Sequence, residues 1–208
     1  MYFKRLIKDV KIPKGEEMDT LGEKLGFIAF LFAMMSISSS PHPILLIACY
    51  GIHEGGHFIA AKLTGAKMKS FRAGFFRLCL SYDCSHISYA GELLVCAGGI
   101  IVNLSCALLS LILGINRTEN GNFFIICNLS LAIMNIYPIS ILDGGGILRC
   151  LFLMIFDEEK ARKTSALISF LFAFLMWLGA VYLQLVFDSN ISLFLISVFL
   201  LIELCFSM

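Results

Sequence analysis

Residues 43–63 read PILLIACYGIHEGGHFIAAKL, an apolar run with two histidines and a glutamate inside it. A transmembrane helix needs about 20 apolar residues, and this run has that length. The whole chain has the same character, because 59% of its 208 residues are hydrophobic and 15% are charged, with a mean hydropathy of +0.88. The sequence therefore predicts an all-α polytopic membrane protein embedded in the lipid bilayer.

Further apolar runs, separated by polar residues, Pro or Gly, complete a prediction of about six transmembrane helices. The predicted spans cover residues 26–39 (with a start as early as 21), 43–63, 93–115, 123–137, 166–187 and 191–206. The apolar run 148–156 is too short to cross and is predicted to form an interfacial or re-entrant helix. Because the chain has no long linker or repeat, we predict one domain over residues 1–208, with 1–24 as an N-terminal tail.

The basic residues are distributed unevenly over the predicted loops. Fifteen of the sixteen Lys and Arg fall in residues 1–24, in the loop between the second and third spans, or between the fourth and fifth; only Arg117 falls on the other side. Short cytoplasmic loops accumulate basic residues. We therefore predict that both termini lie in the cytoplasm.

Charge and cysteine content exclude two other kinds of site. The net charge is +1 and no basic stripe is interleaved with aromatic residues, so nucleic-acid binding has no electrostatic support. The eight cysteines lie mostly in apolar runs without a Cys-x-x-Cys spacing, which predicts neither disulfides nor cysteine metal ligands.

A metal-binding pattern lies within the second predicted span. His53, Glu54 and His57 form H-E-x-x-H, and residues four apart on a helix share one face. Both imidazoles can therefore bind one zinc ion, while Glu54 lies beside them to activate a water molecule. Ionisable side chains at membrane depth are costly, so such a group indicates function more strongly than packing.

A catalytic zinc site usually has three protein ligands, so a third ligand must come from elsewhere in the chain. Residues 135–146 read NIYPISILDGGG, in which Pro138 is predicted to end a helix and the glycines to permit a sharp turn before the next element. Asp143 is the best candidate for the third ligand. From the residues alone, a solvated loop carboxylate at the cytoplasmic interface is an equal alternative.

Together these two motifs resemble those of the site-2 protease family of intramembrane zinc metalloproteases. That family combines H-E-x-x-H in one span with N-x-x-P-x-x-x-x-D-G after a later span, and both patterns match here without a gap. The resemblance implies one Zn²⁺ per chain bound by His53, His57 and Asp143. It also implies that Glu54 is the catalytic base and that Asn135 orients the substrate or stabilises the oxyanion.

Other segments are similar to parts of the same family. Residues 66–89 alternate like strands and resemble the family's re-entrant β-hairpin after the second span. Residues 98–103 resemble its A-G-P-x-x-N motif, although Gly98 replaces the alanine and Ile100 the proline. The short chain is similar to the sporulation proteases. This resemblance implies a location in a bacterial plasma membrane and a membrane-protein substrate that is cleaved within or near its transmembrane segment. It also allows a membrane-protein regulator as a further partner.

Three alternatives remain open at this point. A metal-binding membrane transporter or sensor would also place His and acidic residues in spans, with Glu54 as a ligand or relay. A catalytically inactive scaffold would not need the complete motif. A prenyl-protein type of zinc protease also uses H-E-x-x-H in membranes, but its third ligand is expected to be a Glu in a different pattern.

Overall fold

The computed structural model describes residues 42–73, 78–84, 86–187 and 192–207. This part of the chain is mostly helical, as predicted. The predicted tail 1–24 and the predicted span 26–39 lie outside the described residues. In chain order the elements are α1 (His42–Thr64), β1 (Lys67–Ala73), β2 (Leu78–Asp83), α2 (Tyr89–Ile112), a short 3₁₀ helix (Ile115–Arg117), α3 (Glu119–Ile136), α4 (Asp143–Leu153), α5 (Glu158–Phe187) and α6 (Ser192–Ser207).

Three of the described helices are long and apolar enough to cross a bilayer. They are α1, α2 and residues Glu158–Val186 of α5, and they correspond to the second, third and fifth predicted spans. Helix α3 has 18 residues and overlaps the fourth predicted span. Helix α6 contains a shorter apolar segment, Leu193–Ile202, within the sixth. The count of six spans stays a prediction.

Helix boundaries differ from the predicted spans where polar residues extend or end a helix. Helix α2 begins at Tyr89, because the hydroxyl of Ser88 caps it by accepting a hydrogen bond from the backbone N–H of Gly91. It ends at Ile112, close to Gly114, whose φ of 69° is left-handed. Helix α5 begins at Glu158, and its charged first turns precede the apolar residues from which the span was predicted.

Helices α1 and α2 approach each other through glycine. A Cβ atom placed on Gly98 would lie 2.6 Å from the carbonyl oxygen of Gly56 and 3.0 Å from the Cβ of Ala60, distances that a side chain cannot adopt. The backbones are therefore in direct contact, as in other membrane helix pairs that pack through small residues. This contact fixes the position of the α1 segment that carries the two histidines.

The segment between α3 and α5 corrects one sequence expectation. Helix α3 ends at Ile136 before Pro138, as predicted, but the short helix α4 begins at Asp143 rather than at residue 148. The three glycines are thus the first turn of α4, not a turn that precedes it. Two physical reasons account for this: a carboxylate is favourable at a helix N-terminus, and a Cβ at Gly144 would collide with the carbonyl oxygens of Ile136 and Tyr137.

The loop before α4 is held in place by Ile139. Its side chain is fully buried in a cluster with Ala173 of α5 and Leu200 and Leu204 of α6. Burial of this side chain adds van der Waals contacts with both helices. The start of α4, with Asp143, is therefore anchored to the last two helices.

The strands β1 and β2 form a two-stranded antiparallel sheet after α1. Lys67 pairs with Asp83 and Met68 with Tyr82, and the register shifts between Met68 and Ser70. The sheet follows the predicted alternation of residues 66–89. Its re-entrant position in the membrane stays a prediction.

Candidate active site

The two histidines of α1 lie one helical turn apart and point into the protein. His53 is 3% exposed and His57 is 8% exposed. Their rings meet edge to face with centroids 4.8 Å apart, and their Nε2 atoms are separated by 3.2 Å. As the spacing of four residues predicts, one nitrogen of each ring points toward the same place.

Asp143 completes a compact group of three potential metal ligands. Its Oδ2 lies 3.1 Å from Nε2 of His53 and 3.2 Å from Nε2 of His57. In a tetrahedral zinc site with bonds of about 2.1 Å, the ligand atoms are roughly 3.4 Å apart. Among the described residues, no other three His, Cys, Asp or Glu side chains are grouped in this way. The spacing of the three donor atoms fits a zinc ion.

The hydrogen bond of His57 sets which of its nitrogens can bind a metal. Its Nδ1 lies 2.8 Å from the carbonyl oxygen of Val95, which can only accept, so Nδ1 carries the proton and donates it. The Nε2 lone pair then faces Asp143. A lone pair and a carboxylate at this distance repel each other unless a proton or a metal cation lies between them, and a divalent metal would satisfy all three donor atoms at once.

Gly99 of α2 forms the wall behind the histidine rings. A Cβ atom at this position would lie 2.5 Å from Cε1 of His53 and 2.6 Å from Nε2 of His57. Only glycine leaves room for both rings in their observed positions. Sequence reasoning assigned no role to this residue, although it lies in the segment 98–103 that resembles the A-G-P-x-x-N motif.

A cavity of about 740 Å³ opens beside the three potential ligands, lined by residues of α1, β2, α2, α3, α6 and the start of α4. Glu54 and Asn135 also line it. The carboxylate of Glu54 accepts a hydrogen bond from Tyr50, one turn earlier on α1. Asn135 donates from Nδ2 to the carbonyl oxygen of Leu131 at 2.9 Å. All five site residues predicted from the sequence therefore lie around one cavity.

Two tyrosines at this cavity were missed as site residues. Tyr50 supports Glu54, and Tyr82 projects from β2 into the same space. Burial, together with the nearby Glu54 carboxylate, raises the pKa of Tyr82 to about 12, so its phenol keeps its proton at neutral pH. In the sequence, Tyr82 was recognisable only as part of the strand-like alternation.

Comparisons with known proteins bear on the second motif and on the fold. Residues 118–178, which include Asn135 and Asp143, match the model of peptidase family M50. The fold is similar to that of the site-2 protease from Methanocaldococcus jannaschii, with a TM-score of 0.65 and 24% identity, over 86% of this chain and 84% of that chain. No curated protein sequence matches this chain.

Proposed function

We infer that this chain is a zinc metalloprotease of the site-2 protease type and that it hydrolyses peptide bonds of membrane-protein substrates within or near their transmembrane segments. The single observation that carries this proposal is the convergence of His53, His57 and Asp143 beside a cavity that also contains Glu54. A metal site open to such a cavity leaves space for water and for a peptide, as catalytic rather than structural zinc sites do.

The proposed metal ligands are His53, His57 and Asp143, bound through Nε2, Nε2 and a carboxylate oxygen. Their mutual distances and the Nδ1 hydrogen bond of His57 support this assignment. When bound, zinc would supply Lewis acidity to a water molecule and to the scissile carbonyl group.

Glu54 is the proposed general base. It lies on the same helical turn as both histidines, lines the cavity and is held by Tyr50. In this position its carboxylate can take a proton from the attacking water and later deliver it to the amine that leaves. It needs no bond to the metal for this role.

Asn135 is proposed to orient the substrate or to stabilise the oxyanion. Its amide nitrogen has two hydrogens, and one of them is used by the carbonyl oxygen of Leu131. That bond fixes the orientation of the amide group. The second hydrogen is then available to a substrate carbonyl in the cavity.

The substrate is proposed to bind as an extended, apolar segment. A helical transmembrane segment hides its carbonyl groups in hydrogen bonds, so it must unwind before attack. The cavity lining includes apolar side chains, among them Leu195 and Phe199 of α6, as well as the polar residues of α1. We propose that residues 70–89 hold the unwound segment by adding it as a strand to the edge of the sheet.

The variant Glu54→Gln tests this function. It should retain one zinc per chain, because Glu54 is not a ligand, and its cleavage rate should fall by a factor of roughly 10²–10⁴, the contribution of a general base. The measurements are zinc content of the purified protein and proteomics of membrane fractions from cells with wild-type or variant protein. Peptides that span the cleaved segments then serve as substrates in detergent.

Two results would contradict the proposal. If Glu54→Gln lost its zinc, Glu54 would be a metal ligand, as in the transporter alternative. If the membrane proteomes were identical and the purified, zinc-loaded wild type cut no membrane-derived peptide, the proposed substrate class would be wrong.

A further inference from the structure

Tyr82 lies at the active-site cavity on a different element from the proposed metal ligands, Glu54 and Asn135. It is the penultimate residue of β2, and its backbone is held by pairing with Met68 of β1. Its side chain lines the cavity together with Glu54, His57 and Asp143. The sheet therefore contributes a polar side chain to the wall that faces the proposed metal site.

The hydroxyl group of Tyr82 is shielded from solvent and has no hydrogen-bond partner among the described residues. A buried hydroxyl without a partner destabilises a protein, whereas a phenylalanine would fill the same space without that cost. A hydrogen-bond acceptor that enters the cavity with the substrate would remove this destabilisation. The peptide carbonyl is the acceptor that every substrate of a protease brings.

The surroundings of Tyr82 keep its hydroxyl group protonated, so that it can donate a hydrogen bond. Burial and the Glu54 carboxylate both favour the neutral phenol, so the group keeps its proton at neutral pH. Glu54 itself already accepts a hydrogen bond from Tyr50. Two tyrosines thus lie beside Glu54, one of which supports it while the other presents its hydroxyl to the cavity.

We propose that Tyr82 is a catalytic residue that donates a hydrogen bond to the oxygen of the scissile carbonyl group as that oxygen becomes negatively charged. This inference rests on the proposed proteolytic function. The Tyr82 hydroxyl forms and breaks no covalent bond and keeps its proton throughout. The proton of the attacking water goes to Glu54 and then to the amine, so the reaction balances without any proton from Tyr82.

Tyr82 would supply a hydrogen-bond donor in addition to the one proposed for Asn135, and from a different element. One amide hydrogen of Asn135 is already used within α3, whereas the Tyr82 hydroxyl has no partner among the described residues. The strand pair proposed to hold the extended substrate would also carry the group that stabilises the oxyanion. A donor on β2 would therefore couple substrate binding to catalysis.

The variant Tyr82→Phe, made in the full-length zinc-loaded protein, tests the proposal. Removal of one oxyanion donor lowers kcat by about 10²–10³-fold in other hydrolases. We expect a fall in kcat of this size, with KM within about twofold of the wild type and unchanged zinc content. The matched control is Tyr182→Phe, since Tyr182 is 59% exposed on α5 and does not line the cavity; its kcat and KM should equal those of the wild type.

The other outcomes overturn the assignment. An unchanged kcat would show that the hydroxyl is not used, and a higher KM with an unchanged kcat would make Tyr82 a substrate-binding group only. Loss of zinc, or of a monodisperse folded protein, would make it structural. A zinc-loaded wild type without peptidase activity would instead contradict the proposed function, so the two failures are distinguishable.

Discussion

Gly99 is in contact with both histidine rings at the proposed metal site. The absence of a side chain at this position lets His53 and His57 occupy the space against α2. The rings cannot move away without breaking the hydrogen bond of His57 to Val95. The geometry of the ligands therefore depends on a residue that binds nothing itself.

We expect Gly99→Ala to bind zinc much more weakly than the wild type. The added Cβ would lie 2.5–2.7 Å from atoms of both rings, so at least one ring must turn out of its ligand position. A displaced ligand should lower zinc affinity by at least about 10–100-fold, the loss seen when a group that orients a ligand is removed. Competition with a fluorescent zinc chelator measures the affinity.

The control is Gly51→Ala on α1, where a Cβ would meet no atom within 4 Å. Alanine is the better helix former, so this variant should fold and bind zinc like the wild type. Equal zinc affinity for Gly99→Ala and Gly51→Ala would show that the histidine rings can shift, and that their close packing against Gly99 is not needed for zinc binding.

For single residues, the sequence could predict the positions that follow a local pattern but not those that depend on tertiary contacts. His53, Glu54 and His57 were predictable because their spacing on one helix is sufficient to bring them together. Gly99 and Tyr82 were not, because their importance comes from contacts with residues more than 25 positions away in the chain. No periodicity within α2 or β2 encodes those contacts.

Helix α4 is the element that joins the second motif to the first. The sequence predicted a short helix here but placed its start at residue 148, since the three glycines indicated a turn. In the structure the glycines are helical and lie against backbone carbonyl groups of the preceding loop. The helix N-terminus thus starts at Asp143, a placement that local helix propensity could not reveal because glycine disfavours helices.

If Asp143 is the third ligand, Asp143→Ala should lose zinc and peptidase activity together. Two histidines alone leave the ion undercoordinated, and the expected fall in zinc affinity exceeds about 100-fold, the upper range for a residue that only supports a ligand. Asp143→Glu should retain some zinc in poorer geometry. Metal content and peptide cleavage of the folded protein in detergent are the measurements.

Asp157 offers a matched control for this experiment. It is an exposed acidic residue just before α5 and pairs only at the surface with Lys160, at 3.3 Å. Asp157→Ala should leave zinc content and cleavage unchanged, because exposed ion pairs contribute little. Near-normal zinc in Asp143→Ala would remove Asp143 from the ligand set and return it to the solvated carboxylate of the alternative interpretation.

The whole molecule is an integral membrane protein, and its helix lengths bear on the topology predicted from the basic residues. Helix α3 has 18 residues and is therefore about 27 Å long, close to the roughly 30 Å of a bilayer core. Its first turn and the Asp143 region lie at opposite ends. The described part of the chain is thus compatible with a metal site that opens to the cytoplasmic side.

Single cysteines at Asn120 and Lys160, in a cysteine-depleted background, test this topology. Both positions are exposed, Asn120 in the first turn of α3 and Lys160 in the first turn of α5. We expect an impermeant thiol reagent added outside intact cells to label the cysteine at 120, whereas that at 160 reacts only after the membrane is opened. Labelling of both positions from outside would contradict the predicted orientation and the count of six spans.

The cavity beside the metal ligands has a consequence for inhibitor design. Its volume of about 740 Å³ falls within the range of sites that enclose a drug-sized molecule. Its lining combines the three proposed metal ligands and tyrosine hydroxyl groups with the apolar side chains of Leu195, Phe199 and Leu200 of α6. A compound with a chelating head and a branched hydrocarbon tail would match both kinds of lining, and the same tail would concentrate the compound in the lipid around the protein.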